Sequence, residues 1–368
     1  MRERLCWQLR LFLKIPADKG ALVLLILLPV FCLFFSQVGY EPDVLYGGEI
    51  ISNSEYEARK EAWQSGIAGR IDSRWVAQRK EDLEAARKSL RAEDQTEGSD
   101  QKIRMMEDAY YDGVFALKEK AAADFGDLPG RIRTAFYQNS WNYGPERISK
   151  QWMMALCSLG LISFLVWSTL CSMLANQEDG WNGAELIDCA QERRSRSIER
   201  LIFGSLLVAA VTFWQIFILL AGGRLLFGAF PADIMVLYTR SLQPYSWHSL
   251  FMQGLQLMII AQFFALFCGF IFSLLIKKTL FSLLAAMTFQ LMPFFLSSFV
   301  PQSVQVFFEF FPISYLMFFS PGQLMMSAYV LAGSMVFLKT EWAAIALGAA
   351  VIGCLFSVFI VLRRKNYA

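Results

Sequence analysis

The sequence predicts an all-α membrane protein with six transmembrane helices, and the arrangement of its apolar residues is the main reason. Hydrophobic residues make up 55% of the 368 positions and are concentrated in long runs. Roughly 20 mostly apolar residues are needed for a helix to cross the hydrocarbon core of a bilayer. Six runs reach or approach this length, at 21–38, 153–174, 201–227, 250–276, 280–300 and 342–362.

The positions of Lys and Arg predict which side of the membrane each loop faces. Cytoplasmic flanks of membrane helices are enriched in these two residues. Four basic clusters adjoin the apolar runs, in residues 1–19, 193–200, 277–278 and 363–365. Six spans put all four clusters on one side, so we expect cytoplasmic N- and C-termini, the latter as a short tail at 363–368. A seventh span would put the last cluster outside.

The longest polar region, 39–150, follows the first span and is therefore expected on the extracytoplasmic side. Apolar residues recur every four or seven positions within 55–91 and every three or four within 103–117, with a turn at 93–100 between them. These periods predict an antiparallel helical hairpin whose first helix is long and unbroken. Acidic and basic residues are interleaved on its other faces, which is typical of a solvated surface rather than a binding patch.

Residues 1–20 carry the pattern of an amphipathic helix that lies in the membrane interface. Leu5, Leu9, Phe12 and Leu13 share one face of a helical wheel, and basic residues occupy the opposite face. Such a helix buries its apolar face at the headgroup level and turns its basic face toward anionic lipid. The position just before the first span favours a defined elbow helix, with an ordinary juxtamembrane anchor as the alternative.

The loop between the second and third spans, 176–200, is acidic in its first half and basic in its second. A short helix through 184–191 would present Glu185 and Asp188 to a partner protein, beside the arginines next to the membrane. A solvated loop that follows the charge rule for cytoplasmic segments explains the same composition. Composition alone favours that second interpretation.

A short series of motifs within this loop favours the first interpretation, a helix that contacts a partner protein. The series is Glu178, then Gly183 with Ala184, then Leu186 with Ile187, then Ser195 with Arg196. A glutamate, a Gly-Thr-like pair, a short coupling helix and a Ser-Arg pair follow the second span in the same order in ABC-2 type ABC transporter permeases. The whole element order, from basic elbow through outside domain to four further spans, also resembles that family. The large outside region resembles a subgroup of these permeases.

This resemblance implies a cytoplasmic partner that supplies the energy. Coupling to that partner, a dimer of ABC ATPase subunits, would involve the loop residues Glu178, Gly183, Glu185, Leu186, Ile187 and Asp188. ATP and Mg²⁺ would be bound in the ATPase and no cofactor by this chain, which has no Gly-x-x-x-x-Gly-Lys-Ser/Thr loop. We therefore expect that the chain is not an enzyme by itself. Its other partners would be membrane lipid and a second permease copy or a related permease, with no nucleic acid.

Uncharged amides and one carboxylate are the candidate pathway-lining groups. Gln253 and Gln256 are three residues apart and so share a helical face, and Gln290 lies in the fifth span. Amides in membrane helices more often hydrogen-bond to a neighbouring helix than line a pathway. Glu309 stands among four phenylalanines in 302–338, a segment predicted to form interfacial or re-entrant helices. An interfacial position would also let this carboxylate reach water.

The expected function is ATP-driven export across a cell (inner) membrane, in a bacterium. Because the centres of the spans carry no charged residues, an apolar or amphiphilic cargo such as a lipid, a lipopeptide or a hydrophobic peptide fits better than an ion. No Cys/His spacing predicts a metal site, and no nucleophile elbow is present. The alternative is a non-transporting membrane scaffold or sensor whose outer hairpin recruits an envelope partner.

Overall fold

The computed structural model describes residues 16–38, 44–46, 49–92, 97–125, 142–175, 190–230, 233–234, 246–276, 279–296, 329–332 and 335–365. This part of the chain is mostly helical. Its helices are α1 (Pro16–Val38), α2 (Asn53–Gly66), α3 (Ser73–Ala92), α4 (Glu97–Phe125), α5 (Arg147–Ala175), α6 (Ala190–Phe227), α7 (Trp247–Leu275), α8 (Thr279–Leu296) and α9 (Lys339–Lys365). Its strands form antiparallel pairs, β1 (Val44–Tyr46) with β2 (Glu49–Ile51), β3 (Gly69–Arg70) with β4 (Asn142–Tyr143), and β5 (Tyr329–Ala332) with β6 (Met335–Leu338).

Four of the described helices are long and apolar enough to cross a membrane. The apolar stretches are Asp18–Gln37, Arg147–Cys171, Ile198–Phe227 and Trp247–Leu275, in α1, α5, α6 and α7. Two shorter apolar stretches, Leu280–Met292 and Glu341–Ser357, belong to α8 and α9. The structure is therefore consistent with the predicted helical membrane protein.

Helix α7 lies at the centre of the bundle formed by the apolar helices. Sixteen of its 29 residues are buried, and they are distributed around most of its circumference. It packs against α5, α6, α8 and α9. A helix that is apolar on nearly all sides is typical of the interior of a bundle. Most of the largest fully buried side chains come from α5 and α7, among them Trp152, Trp167, Phe251 and Phe270.

Contacts at the helix ends establish the relative directions of four apolar helices. Gln37, near the end of α1, donates from Nε2 to the carbonyl oxygen of Leu226 near the end of α6, at 3.5 Å. The ring of Trp152, early in α5, contacts those of Phe227 at the end of α6 and Phe251 early in α7. The ends of α1 and α6 and the beginnings of α5 and α7 therefore share one end of the bundle. We name it the polar-domain end, because the chain between α1 and α5 is attached there.

Helices α2, α3 and α4 form this polar domain. The prediction of a single helix over 55–91 is wrong, because two helices occupy this range. Helix α2 ends at Gly66 and α3 begins at Ser73. A new helix begins here because Oδ1 of Asp72 accepts from the backbone N–H of Trp75 at 2.8 Å and so caps α3. In the break, β3 pairs with β4, which lies just before α5.

Helices α3 and α4 pack antiparallel. Near the end of α3, the guanidinium of Arg87 donates to Glu107 of α4 at 2.5 Å. Near its beginning, Trp75 packs on Gly113, where an added Cβ would lie 2.7 Å from the indole ring. The same indole lies 5.1 Å from the ring of Tyr143 in β4. Trp75 therefore joins both helices to the strand that precedes α5.

The segment 302–338 differs from its prediction in the part that the structure describes. Interfacial or re-entrant helices are predicted there, whereas Tyr329–Ala332 and Met335–Leu338 form an antiparallel hairpin immediately before α9. These two stretches are rich in β-branched and aromatic residues, which favour extended backbone. Residues 302–328 lie outside the described part of the chain.

Candidate functional site

Pro29 interrupts the hydrogen bonding of α1 within its apolar stretch. Proline has no N–H, so the carbonyl oxygen of Leu25, four residues earlier, lacks its usual helical donor. A backbone carbonyl in hydrocarbon needs another partner. Nε2 of Gln215 on α6 donates to this oxygen at 3.0 Å, and Nε1 of Trp214 donates to the next carbonyl, that of Ile26, at 3.1 Å. Helix α6 therefore supplies donors at the break in α1.

The same amide of Gln215 also connects α6 to α7. Nε2 of Gln262 donates to Oε1 of Gln215 at 2.9 Å, and the hydroxyl of Thr212 donates to Oε1 of Gln262. All three side chains are buried, with at most 4% of their surface exposed. Burying an amide without a partner is costly, whereas these amides are bonded to each other. Thr212, Gln215 and Gln262 form a polar connection that joins α1, α6 and α7, which is the interhelical role that such amides commonly have.

Gln290 on α8, one of the predicted pathway-lining residues, is buried against α5. The hydroxyl of Ser168 donates to its Oε1 at 2.7 Å. Its Nε2 has no hydrogen-bond partner within the described ranges, although only 1% of the residue is exposed. A buried donor without a partner is unfavourable, and in native proteins it often marks a place for water or a ligand. Gln290 thus combines an interhelical bond with a free donor inside the bundle.

The other two predicted pathway-lining residues lie on an accessible face of α7. Gln256 is exposed and Gln253 is half-buried. His248, Met252 and Gln256 are spaced four residues apart and are all exposed, so they form one row along the helix. An amide facing lipid is unfavourable in the middle of an apolar helix. This row is therefore suited to face water, a cargo or a protein partner rather than acyl chains.

A cluster of aromatic rings packs beside the start of this row, at the polar-domain end. The ring of Trp152 lies 5.9, 5.6 and 5.5 Å from those of Phe227, Phe230 and Phe251, each in an edge-to-face arrangement. The imidazole of His248 lies 5.3 Å from Phe230. Edge-to-face pairs at these distances stabilise packing beyond area burial. The row on α7 thus begins at a tightly packed ring cluster.

The remaining predicted site residues lie outside the part of the chain that the structure describes. These are the elbow residues Leu5, Leu9, Phe12 and Leu13, the coupling residues Glu178, Gly183, Glu185, Leu186, Ile187 and Asp188, and the pathway candidate Glu309. Their roles remain predictions. Helix α5 ends at Ala175, as the predicted loop 176–200 requires, but α6 begins at Ala190, so residues 190–200 are helical rather than part of a loop.

Three features of the polar connections were not predicted from the sequence. They are the carbonyl freed by Pro29 and the hydroxyl partners Ser168 and Thr212. The proline within an apolar run is a visible signal, because it necessarily releases a carbonyl four residues earlier. The sequence around Pro29 does not indicate which distant amide donates to the freed carbonyl.

Comparison with known proteins gives no match for this chain. No protein-family model matches it, and neither does any curated protein or solved structure.

Proposed function

We propose that this chain is the membrane-spanning subunit of an ABC-type exporter of the ABC-2 kind. It has six spans, cytoplasmic termini and an extracytoplasmic polar domain, and it works in the cell (inner) membrane of a bacterium. A separate dimer of ABC ATPase subunits binds ATP and Mg²⁺ and drives it. The transporting unit contains a second copy of the chain or a related permease. The cargo is apolar or amphiphilic, such as a lipid, a lipopeptide or a hydrophobic peptide.

The geometry of α6 is the observation that carries this proposal. Helix α6 begins at Ala190, whereas its apolar stretch begins at Ile198. About 12 Å of helix therefore continues beyond the apolar part, at the end away from the polar domain. The first part of the proposed coupling loop 176–200, residues 176–189, leads directly into this extension. A rigid helix of this kind can pass a displacement of the loop into the bundle.

Two helices, α1 and α7, are hydrogen-bonded to α6 and would be affected when α6 is displaced. Gln215 bonds to the carbonyl of Leu25 on α1 and to Gln262 on α7. When α6 moves, it must either carry these two helices with it or break the bonds. The bond to α1 acts at the position where Pro29 has already interrupted the helix. A push on 176–189 would thus reach α1 and the central helix α7 together.

The six-span arrangement is supported by helix lengths and charge. Helix α8 has 18 residues and α9 has 27, which correspond to about 27 Å and about 40 Å of helix. Both approach or exceed the thickness of the hydrocarbon core, about 30 Å. With α8 and α9 as spans five and six, all four basic clusters fall on the side of the coupling segment, as the positive-inside rule requires.

Co-purification with an ATPase tests the proposal. The full chain is expressed with candidate ABC ATPases, and ATP hydrolysis by the complex is measured in detergent and in lipid. Glu185→Arg with Asp188→Arg should weaken the complex and lower its ATP hydrolysis at least tenfold. Glu84→Arg, at an exposed site on α3, is the matched charge reversal and should change neither. The proposal fails if no ATPase co-purifies and the double variant keeps its cellular function.

A membrane scaffold is the second candidate, and the attachment of the polar domain favours keeping it. Nδ2 of Asn142 donates to the carbonyl of Asp233 at 3.4 Å, and the guanidinium of Arg147 lies 3.6 Å from the carboxylate of Glu61. These contacts hold the polar domain to the end of the bundle in a defined position, as a recruiting surface requires. For a scaffold, deletion of 55–117 abolishes function while depletion of ATP does not. An exporter loses function in both experiments.

A further inference from the structure

A small cavity lies in the polar domain, where α2, α4 and β4 meet the residue before α5. Its lining includes the carboxylates of Asp108, Asp112 and Glu146 and the side chains of Tyr56, Lys60 and Gln64. The cavity volume is about 30 Å³. By this measure a single water needs about 10–15 Å³, so the cavity holds about two water-sized groups. It is thus a small recess whose charged lining consists of three carboxylates and one lysine.

The charges around this cavity are not balanced. Burial, together with the carboxylates of Glu146 and Asp108, raises the pKa of Asp112 to about 7. The ammonium groups of Lys150 and Lys60 lower this pKa, but each has a smaller effect than either carboxylate. The potential at Asp112 is therefore negative even with both lysines present, and the cavity attracts a positive group.

Glu146 provides a second, independent observation. Only 3% of this residue is exposed. Its Oε2 pairs with Nζ of Lys150 at 2.9 Å, whereas its Oε1 is buried and has no hydrogen-bond partner in the part of the chain that the structure describes. A buried carboxylate oxygen without a donor is costly. A donor that entered the cavity would remove that cost.

We propose that this cavity binds a primary ammonium group, such as that of ethanolamine or of a phosphatidylethanolamine headgroup. An ammonium carries one positive charge and three N–H donors with no acceptor, which suits a recess with three carboxylates. It is also compact enough for the available space. A metal ion is a poor alternative, because no group of His, Cys, Asp and Glu among the described residues could hold one. This inference does not depend on the export function.

The position of the cavity makes both sources of the ammonium group accessible. Glu146 lies directly before Arg147, the first residue of the apolar stretch of α5, and about 10 Å of helix before the uninterrupted apolar run that begins at Met153. The headgroup layer on each side of a bilayer is about 5–8 Å thick. The cavity therefore lies at the outer edge of the headgroup layer. A lipid amine can reach it from the membrane side, and a soluble amine can reach it from the aqueous phase.

A proton competes with the ammonium for the same carboxylates. Asp112 is faced by Asp108 on its own helix, by Lys60 and Tyr56 of α2, by Tyr143 of β4 and by Glu146 and Lys150 at the start of α5. Because protonated Asp112 attracts a cation less, ammonium binding should strengthen as Asp112 ionises. With a pKa of about 7, the ionised fraction rises about tenfold between pH 6 and pH 8. Affinity should rise by the same factor.

Calorimetry of the full chain in detergent tests the soluble ligand. Ethanolamine is titrated at pH 6, 7 and 8, and choline serves as its matched control because its quaternary nitrogen is larger and has no N–H donor. Ethanolamine should bind about tenfold more tightly at pH 8 than at pH 6, while choline should bind at least tenfold more weakly than ethanolamine. At pH 7, two buffers of different ionisation enthalpy should reveal the release of about half a proton per ethanolamine.

Two variants separate the proposed role from a structural one. Asp112→Asn should abolish the proton release and the pH dependence, and Glu84→Gln on exposed α3 should leave both unchanged. Asp108→Asn should weaken ethanolamine binding at pH 8 at least threefold, which keeps the test valid if the first variant does not fold. Equal binding of choline, or proton release that survives in Asp112→Asn, would overturn the proposal.

Lipid bilayers of defined composition then distinguish the two sources. The native chain and Asp112→Asn are placed in bilayers containing equal amounts of phosphatidylethanolamine and phosphatidylcholine, and retained lipid is measured by native mass spectrometry. Selective retention of phosphatidylethanolamine by the native chain alone assigns the cavity to the headgroup. Ethanolamine binding without lipid selectivity assigns it to a soluble amine. The absence of both contradicts the inference.

Discussion

The carbonyl oxygen of Leu25 lies 3.0 Å from Nε2 of Gln215, and Pro29 is the reason that this oxygen is available. A proline in one apolar helix and a glutamine in another thus form a single structural unit. The bond ties α6 to α1 where α1 is least able to resist bending. Through Gln262, the same unit reaches the central helix α7.

The double-mutant cycle of Pro29→Ala with Gln215→Leu should show coupling between these two residues. Pro29→Ala returns a helical N–H donor to Leu25, so the loss of Gln215 should be less harmful in that background. We expect a coupling free energy of about 0.5–1.5 kcal/mol. Equilibrium unfolding of the native chain, both single variants and the double variant in mixed micelles measures it. The contribution of Gln262 is common to both backgrounds and cancels.

A control for this cycle is available on α7. Gln256 is exposed and lies about 9 Å along α7 from Gln262, the residue that contacts Gln215, so Gln256→Leu should be additive with Pro29→Ala within about 0.5 kcal/mol. If Gln215→Leu is equally additive, the bond at the proline makes no measurable contribution to stability.

Gln290→Leu should leave the stability of the protein nearly unchanged but impair its function. The variant removes a buried donor that has no partner among the described residues, and Ser168 keeps a bond to the carbonyl of Phe164 at 2.8 Å. The free energy of unfolding should therefore change by less than about 1 kcal/mol. ATP hydrolysis by the complex with its ATPase should fall if Gln290 serves the pathway.

Gln262→Leu is the contrasting variant, because it leaves Thr212 and Gln215 without their partner and should be clearly less stable. A large loss of stability in Gln290→Leu would show that this amide is structural.

The apolar helices could be predicted from the sequence because the membrane imposes their length. The break between α2 and α3 in the polar domain could not be predicted. Trp63, Ile67, Ile71 and Trp75 keep a spacing of four through the whole break, so their periodicity gives no sign of it. The same residues still pack together, and Ile71 is only 2% exposed. A turn and a short strand hold them inward as well as a continuous helix would.

The pairing of polar groups was also beyond the sequence, for a different reason. The sequence identifies Gln215, Gln262 and Gln290 as amides in apolar runs. Which of them meets Thr212 or Ser168 depends on the rotation and axial offset of each helix, and these are set by packing throughout the bundle. Local pattern therefore predicts that such amides find partners, but not which partners they find.

Gly223→Ala should destabilise the polar-domain end of the bundle. A Cβ at this position of α6 would lie 2.6 Å from the fully buried indole of Trp152, which is itself held by three phenylalanine rings. We expect a loss of about 1–3 kcal/mol, because neither the ring nor the helix can move aside freely. Gly348→Ala is the matched control, since its Cβ would meet nothing within 4 Å on helix α9. Thermal unfolding in detergent should show a lower midpoint for the first variant and an unchanged or slightly higher one for the second. Equal midpoints would contradict the close contact.

Asp112 should make the polar domain less stable as the pH rises. Its pKa is about 7 in the folded domain and 3.8 without the surrounding structure. The folded state therefore holds this proton more tightly than the unfolded state does. The resulting stabilisation is complete below about pH 4 and is lost as the pH rises through about 7. About three pH units at about 1.4 kcal/mol each set an upper limit of about 4 kcal/mol for this loss.

Asp112→Asn isolates this effect from the other carboxylates. Asparagine resembles the protonated carboxyl in shape and cannot ionise, so the variant should be more stable than the native chain at pH 8 and similar to it below about pH 4. Hydrogen exchange of peptides from α4, corrected for the intrinsic pH dependence of exchange, measures the difference. Glu84→Gln on exposed α3 should follow the native pH profile. If Asp112→Asn also follows that profile, Asp112 is ionised in the folded domain at neutral pH, and burial beside Glu146 does not hold its proton.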